Sequence, residues 1–199
     1  PFLVYSHCFL HSSMAFNGLN EFIRILDLNG QLLRISKLVD PTYEIAEITD
    51  RICKQEGGGK AILFENTGSS FPVLTNTLGS HQRVDMALGN HKLEILSDKI
   101  QSFFEIKQSS SHPFLDVFFN SATQSKSYNY KPISISGKGD SQRIVDLEPD
   151  LRKIPISKSW PYDGGPFLPL TLVNSKDPFT GGRMFGANSV QVLSSTLMS

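Results

Sequence analysis

The sequence has no excess of charge and no basic cluster. Nineteen lysines and arginines balance nineteen aspartates and glutamates over 199 residues. No run of basic residues is interleaved with aromatic ones as binding to a phosphate backbone requires, so we expect no nucleic acid partner. No apolar run approaches the roughly 20 residues of a membrane-spanning helix, and the sequence predicts a chain that is not transmembrane.

Cysteine is scarce, with only Cys8 and Cys53 in the chain. They lie far apart and lack Cys-x-x-Cys spacing, which argues against a zinc site or a disulfide framework. This usage favours a reducing, cytoplasmic setting. Cys53 follows Ile52 in a helical pattern, and we expect it to be a small buried apolar residue.

Residues 1–13 lack the features of a folded element. Residues 2–5 and 8–10 are apolar, yet no positively charged stretch precedes them and no small-residue cleavage site follows, so a signal peptide is the less favoured alternative. We interpret residues 1–13 as a non-native or upstream extension, with Met14 as the natural start.

The next segment shows helical periodicity. Apolar residues at i, i+3, i+4 and i+7 from Leu19 predict a helix that Asn29 and Gly30 end. Asp40 and Pro41 suggest the N-cap and first residue of a second helix. Further helices are predicted after a Ser80 cap and over residues 93–103.

Short apolar runs between these helices predict strands. Residues 32–35 form one candidate, and residues 61–64 form a continuous apolar run typical of a strand buried on both faces. Residues 71–74 are its expected partner. Alternation of helix and strand predicts a small α/β domain over residues 14–107.

The composition then changes. Residues 108–126 include two polar, serine-rich stretches and are predicted to be a linker region. Beyond it, alternation at 132–135 and apolar runs at 167–173 and 190–193 predict a mainly β domain over residues 127–199.

The densest group of turn residues is Trp-Pro-Tyr-Asp-Gly-Gly-Pro-Phe at 160–167. Two glycines, two prolines and an aspartate within eight residues require a defined turn. We interpret this turn as the entrance to a ligand-binding sheet. Asp163 is expected to cap the turn by accepting hydrogen bonds from backbone amides two residues further on.

Several blocks of sequence follow one another in a recognisable order. They are FIRIL at 22–26 with GQLLRI at 30–35, VDP at 39–41 with EI at 44–45, LFEN at 63–66, WPYDGG at 160–165 and KDP at 176–178. One block alone is a weak signal, but the ordered set, from about residue 19 onward, closely resembles the UbiD family of carboxy-lyases.

The resemblance implies a decarboxylase that uses prenylated flavin mononucleotide (prenylated FMN) and a divalent metal, Mn or Mg. Its substrates would be small aromatic or α,β-unsaturated carboxylic acids, including the hydroxybenzoate and naphthoate types of ubiquinone or menaquinone biosynthesis. It also implies a flavin prenyltransferase that supplies the cofactor, and homo-oligomers.

The fold implied by the resemblance is α+β. An N-terminal α/β domain is followed by a split β-barrel like those of flavin reductases, which holds the cofactor, and by a C-terminal domain used in assembly. This chain would cover the first domain and the beginning of the barrel.

The family pattern N-x-G-x-Y-R places a metal-binding asparagine five residues before an arginine that binds the substrate carboxylate. Aligning Gly186 with the family glycine puts Met184 and Ser189 at those two positions. A thioether is a poor ligand for a hard cation, and serine cannot pair bidentately with a carboxylate. The resemblance therefore implies Gly186, Asn188 and Ser189 as cofactor-binding positions, and no catalytic or metal residue carries over.

A shifted register is the less favoured alternative. It would make Asn188 the metal-binding amide and Arg183 the cation for the carboxylate, but their order would be the reverse of the family's. We favour Arg183 as a solvated turn residue and Asn188 as a residue at the end of a strand.

Other candidate groups have simpler interpretations. His81 and His91 lie on separate predicted elements without a third ligand and are interpreted as surface residues. Glu44 and Glu47 are interpreted as a solvated helix face. The glycines of residues 57–60 lack the spacing of a phosphate loop and are interpreted as a helix-ending loop.

Two hypotheses follow. The first is a fragment of a UbiD-like decarboxylase, expected to be inactive in this form, which could be a frameshifted copy, a cut piece or a relative that has lost catalysis. The second is a non-catalytic assembly or interaction module that retains the family fold and associates through an exposed half-barrel.

Overall fold

The computed structural model describes residues 16, 18–89, 97, 98, 100, 101, 136, 137, 139 and 142–199. The described residues up to Ala87 form one unit with Leu147–Ser199, and Leu88–Asp146 forms a second. The predicted extension at 1–13 and the predicted linker at 108–126 lie outside the described residues, as do residues 132–135.

Helices and strands alternate in the first part of the chain, and a hairpin follows near its end. The elements are α1 (Leu19–Leu28), β1 (Leu32–Leu38), α2 (Glu44–Cys53), β2 (Ala61–Asn66), β3 (Val73–Thr75), α3 (His81–Ala87), β4 (Phe167–Lys176) and β5 (Arg183–Gln191). The predicted helix over 93–103 lies mostly outside the described residues, although residues 97, 98, 100 and 101 are helical.

The first sheet has the strand order β1-β2-β3. β1 and β2 are parallel, starting at the pair Leu32 and Ala61, and α2 forms the crossover connection that parallel neighbours need. β3 returns antiparallel to β2, with Leu63 opposite Leu74. The three predicted strands are present, but β1 continues to Leu38, beyond its predicted end, and β3 begins at Val73 rather than at residue 71.

The sheet buries both of its faces, as the apolar run of β2 predicted. On one face Leu63 packs in a cluster with Phe22 and Leu26 of α1. On the other face Phe64 packs in a cluster with Ile45 of α2. Because successive strand residues point to opposite faces, four consecutive apolar residues of β2 can fill two separate cores.

The predicted start of α2 is wrong. The helix begins at Glu44 rather than Pro41. Asp40 forms a turn before the helix, accepting a hydrogen bond from the Thr42 amide (2.7 Å), while the Glu44 carboxylate accepts one from the Asp40 amide (2.8 Å). Tyr43 lies between them with φ of 72°, which breaks the helix before Glu44.

The prediction that Cys53 is buried is also wrong, because its side chain is exposed. Cys53 is the last residue of α2, and its thiol donates to the Asp50 carbonyl (3.2 Å). Helical periodicity placed it on the inner face, but the helix ends there and no described residue covers the thiol.

β4 and β5 form an antiparallel hairpin that closes at the pair Lys176 and Arg183. β5 therefore begins earlier than the predicted strand at 190–193. Unlike the first sheet, the hairpin has no buried residue, and Leu170 and Leu172 are 92% and 80% exposed.

A mixed α+β fold is thus confirmed for the described residues. Their helices are all too short or too polar to span a bilayer. The split barrel stays a prediction.

Candidate functional site

The Trp160 turn is closed by its own backbone and by one carboxylate. The Asp163 amide donates to the Trp160 carbonyl (3.1 Å), and the Asp163 carboxylate accepts from the Trp160 amide (2.9 Å). The expected bond to amides further along is wrong. The turn brings Asp163 back over its first residue, so its carboxylate bonds to an amide that precedes it in the sequence.

The two glycines of this turn let the end of β5 approach closely. A Cβ on Gly164 would lie 2.5 Å from Nε2 of Gln191, and one on Gly165 would lie 2.8 Å from the Val192 carbonyl oxygen. The Val192 amide donates to the Pro166 carbonyl (2.9 Å). The turn is therefore fixed against the hairpin, as expected for a rigid element next to a sheet.

The loop that joins the hairpin strands is organised by Asp177. Its carboxylate accepts hydrogen bonds from the amides of Phe179 (2.7 Å) and Thr180 (3.0 Å). The Gly181 amide donates to the Asp177 carbonyl (2.9 Å), and Gly181 has φ of 71°. The amides of Thr180 and Phe179 lower the pKa of Asp177, because they stabilise its charged form.

The hairpin brings together two of the three predicted cofactor-binding residues. In β5, Gly186 pairs with Val173 and Asn188 with Thr171. Alternation along the strand puts Gly186 and Asn188 on one face and Ser189 on the other. The Asn188 amide lies over Gly186, where a Cβ would be 2.7 Å from Nδ2.

The residues at the two key family positions do not fit a divalent metal or a carboxylate. Met184 is 67% exposed and offers only a thioether, a soft ligand that Mn or Mg does not favour. The Ser189 hydroxyl donates to the Pro169 carbonyl (3.3 Å). The hydroxyl carries no charge, so it cannot take the place of a guanidinium that pairs with a carboxylate.

No alternative metal site replaces them in the described part of the chain. Within those residues no group of three or more His, Cys, Asp or Glu side chains lies close enough to hold an ion. Arg183 is the first residue of β5 and Asn188 lies further along the same strand, and the shifted register stays the less favoured alternative.

The other candidate residues occupy ordinary positions. His81 is exposed at the start of α3, and His91 lies outside the described residues. The exposed Glu47 pairs with Arg51 one turn later (2.6 Å), as on a solvated helix face.

Sequence reasoning missed a fully buried arginine, Arg83, in α3. One of its terminal nitrogens donates to the Gly59 carbonyl (2.6 Å) and to Oε1 of Gln31 (3.2 Å). The other terminal nitrogen donates to the Gly58 carbonyl (3.4 Å), while Nε has no partner. Burial lowers the pKa of Arg83. Thus the carbonyls of Gly58 and Gly59, with Oε1 of Gln31, hold the buried guanidinium.

A second feature without a sequence signal joins the residues just before the Trp160 turn to the residues just before α2. Thr42 and Lys158 form a parallel β-bridge, and the Tyr43 amide donates to the Lys158 carbonyl (2.9 Å). The Lys158 ammonium lies 5.7 Å from the centre of the Tyr43 ring. A positive φ is uncommon for tyrosine, so the residue type gave no indication of this contact.

Comparison with protein-family models gives two matches. Residues 23–102 match the N-terminal domain of 3-octaprenyl-4-hydroxybenzoate carboxy-lyase, termed UbiD_N. Residues 134–199 match the Rift-related domain of the same enzyme family, termed UbiD.

Similar proteins are considerably longer than this chain. An uncharacterized protein of Aquifex aeolicus is 36% identical over 179 residues, which cover 89% of this chain and 36% of that protein. An uncharacterized protein of Archaeoglobus fulgidus is 35% identical, with 90% and 36% covered. The chain thus spans about a third of the length of these relatives.

Solved structures share the fold. The UbiD-class enzyme HmfF from Pelotomaculum thermopropionicum, in an evolved dimeric form with prFMN, aligns with a TM-score of 0.62 at 22% identity, covering 88% of this chain and 36% of that one. The closed form of the vanillic acid decarboxylase of Sedimentibacter hydroxybenzoicus aligns with a TM-score of 0.61 at 20% identity, covering 90% and 36%.

Proposed function

The chain belongs to the UbiD family of carboxy-lyases, and we propose that it is a fragment of a decarboxylase that is inactive in this form. The substrates of the whole enzyme would be aromatic or α,β-unsaturated acids, of the hydroxybenzoate or naphthoate type found in quinone pathways. Prenylated FMN would be its cofactor, supplied by a flavin prenyltransferase. The family match and the prFMN-bound structural neighbour support this proposal.

The organisation proposed for the whole protein follows the same family. Residues 14–107 would form its N-terminal α/β domain, residues 108–126 a linker region, and residues 127–199 the beginning of a split β-barrel. The hairpin of β4 and β5 would contribute two strands to that barrel. Homo-oligomers are proposed for the complete protein.

The side chains of β5 carry the proposal of inactivity. When bound, prenylated FMN supplies the electron sink that loss of CO₂ from an unsaturated carbon requires. The protein must still hold the carboxylate with a charged fork of donors and bind the metal with oxygen ligands. Met184 and Ser189 provide neither, because one offers an exposed thioether and the other a neutral hydroxyl that donates to Pro169.

The direct test is to co-express the chain with a flavin prenyltransferase and to record the absorption spectrum of the purified protein. We expect no stoichiometric flavin and no release of CO₂ from a panel of aromatic acids with Mn added. Stoichiometric flavin or any turnover above a no-protein blank would overturn the proposed inactivity.

A chimera tests the decarboxylase assignment separately. Residues 23–199 of this chain replace the corresponding part of a UbiD-class enzyme, with and without Met184→Asn and Ser189→Arg. We expect the unmodified chimera to be inactive and the double variant to recover decarboxylation, because it restores an oxygen ligand and a guanidinium. The matched control is Ser175→Asn with Leu172→Arg on β4, which adds the same groups at other positions and should restore nothing.

Exposed apolar side chains on the hairpin favour the second candidate function, a non-catalytic assembly module. Leu170, Leu172 and Phe185 are 92%, 80% and 66% exposed, and exposed apolar side chains on a two-stranded sheet favour association with another chain. Co-purification of the tagged chain with an intact UbiD-class enzyme would support this function. If the chimera with Met184→Asn and Ser189→Arg folds but stays inactive, that result would favour the assembly module over the decarboxylase.

A further inference from the structure

An apolar groove lies within the unit that contains the first sheet. It is lined by one side of α2, by residues 71–75, by residues 154–157, 159 and 160 and by the start of β4, and its volume is about 680 Å³. Sites for small organic ligands usually have volumes of about 300 to 1,000 Å³. The groove is therefore large enough for a molecule of two fused or linked rings.

The walls of the groove are aromatic and branched apolar side chains. Phe71 and Trp160 line it while remaining 53% and 66% exposed. Together with Phe167, they offer ring faces and edges to which another aromatic ring can pack in an offset or edge-to-face arrangement. Such walls favour an aromatic ligand over a polar one.

One hydroxyl pair gives the groove a defined polar contact. Oγ1 of Thr49 and Oγ1 of Thr75 lie 2.9 Å apart, and both residues line the groove. Each hydroxyl has one proton, and their mutual bond uses only one of the two. The other proton is left to donate to an oxygen of a ligand, such as that of a phenol.

The charges of the described residues that line the groove disfavour an acid as its ligand. Among the described residues, no lysine, arginine or histidine lines the groove, and the one carboxylate that does, that of Asp50, is paired with Lys54 of the same helix. A carboxylate in the groove would lose its hydration and find no cation, which is costly. The paired carboxylate also gives a cation no free partner.

We propose that this groove binds an uncharged aromatic molecule that carries a phenol or carbonyl oxygen, with the rings against Phe71 and Trp160 and the oxygen at the Thr49 and Thr75 pair. This site lies outside the β5 positions of the proposed decarboxylase, and the proposal does not depend on that activity.

The chain offers a built-in reporter, because Trp160 is its only tryptophan. The uncharged 4-phenylphenol should quench the emission of Trp160 saturably. Biphenyl-4-carboxylate, which has the same rings and a negative charge, should bind at least about tenfold more weakly. Equal affinity for the two molecules, or quenching that does not saturate, would overturn the proposal.

The hydroxyl pair is tested by Thr49→Val, which has the same shape but removes one hydroxyl. We expect 4-phenylphenol to bind about five- to tenfold more weakly to this variant. The matched control is Thr196→Val, at an exposed residue outside the groove, which should leave binding unchanged. If Thr49→Val fails to fold, Thr75→Val removes the partner hydroxyl, and undiminished binding to either folded variant contradicts the proposed contact.

A second measurement uses the thiol at the rim. In a Cys8→Ser background, Cys53 is the only cysteine and lines the groove. Its alkylation by a maleimide should slow several-fold at saturating 4-phenylphenol. An unchanged rate would contradict the proposed location. A rate that falls with rising protein concentration alone would mean instead that a second copy of the chain covers the groove.

Discussion

The first sheet and the hairpin of β4 and β5 use similar apolar residues in opposite ways. In β2 four consecutive side chains are buried, because α1 and α2 cover the two faces of the sheet. In the hairpin, neither face has a buried residue, and Leu172 and Phe185 are largely exposed. Apolar side chains therefore contribute much of the free energy of folding in the first sheet and little of it in the hairpin. We expect only the first sheet, with the two helices that cover it, to be strongly stabilised by its own buried contacts.

The largest expected effect comes from removing a matched aromatic ring from each region. Phe64→Ala removes a side chain with no exposed surface and should lower the free energy of unfolding by about 3 to 5 kcal/mol. Phe185→Ala, at a position that is 66% exposed, should change it by about 0.5 kcal/mol or less. Urea denaturation followed by circular dichroism measures both. Equal losses would mean that the hairpin ring is buried in solution.

The buried arginine of the first region should come next. Arg83→Met leaves the Gly59 carbonyl and Oε1 of Gln31 without the donor that Arg83 provides, and it should cost about 3 kcal/mol. The control is Arg24→Met on the exposed side of α1, which should be close to neutral. A neutral Arg83→Met, in the same urea experiment, would contradict the role of the guanidinium as an internal cation held by carbonyls.

Two glycines with positive φ, one next to the first sheet and one in the hairpin loop, differ in how much space a side chain would have. A Cβ on Gly59 would lie 2.0 Å from the Ile52 carbonyl oxygen, whereas the nearest atom to one on Gly181 is Cε of Lys176 at 3.8 Å. Gly181→Ala should cost only left-handed strain, about 1 to 2 kcal/mol. Gly59→Ala should cost roughly 2 kcal/mol more, because backbone must also move. Thermal unfolding of the two variants provides the measurement, and equal melting temperatures would contradict the difference.

The smallest effect is the response of the hairpin to acid. The pKa of Asp177 is lowered from 3.8 in the fold by the amides of Thr180 and Phe179. A depressed pKa stabilises the loop above the unfolded value, and that contribution is lost as the pH falls from 3.8 through the folded pKa. The amide resonances of Phe179 and Thr180 should therefore titrate with a midpoint below 3.8. Asp177→Asn should abolish this titration, and a midpoint at or above 3.8 would show that the amide bonds do not form in solution.

Sequence patterns predicted the first region well because its elements are locally encoded. The apolar spacing from Leu19 gave α1, and the run at 61–64 gave a strand buried on both faces. The start of α2 was missed by three residues, because the Asx turn at Asp40 and the positive φ of Tyr43 compete with the capping expected from Asp-Pro. Tyr43 is held by Lys158, which is distant in sequence and gives no local signal.

The candidate site was only partly predictable, because the sequence shows which residues are present but not how the strands pair. The identities of Met184 and Ser189 were evident in the sequence, and so was their poor match to metal and carboxylate chemistry. The pairing of β5 with β4 was needed to place Gly186 and Asn188 on one face, with the amide of Asn188 over the glycine. The burial of the Arg83 guanidinium and the groove beside Trp160 could not be predicted from a sequence pattern. Both are assembled from segments that are distant in sequence.

The sequence by itself determined the family, the locally repeating elements and the absence of the expected side chains on β5, because these depend on residue order and spacing. The tertiary structure alone decided which apolar residues are buried, how an arginine is held by carbonyls, and that Trp160, Thr49 and Thr75 line one groove. The physical reason is that burial, hydrogen-bond partners and cavities depend on which distant segments pack together. No local propensity encodes that information.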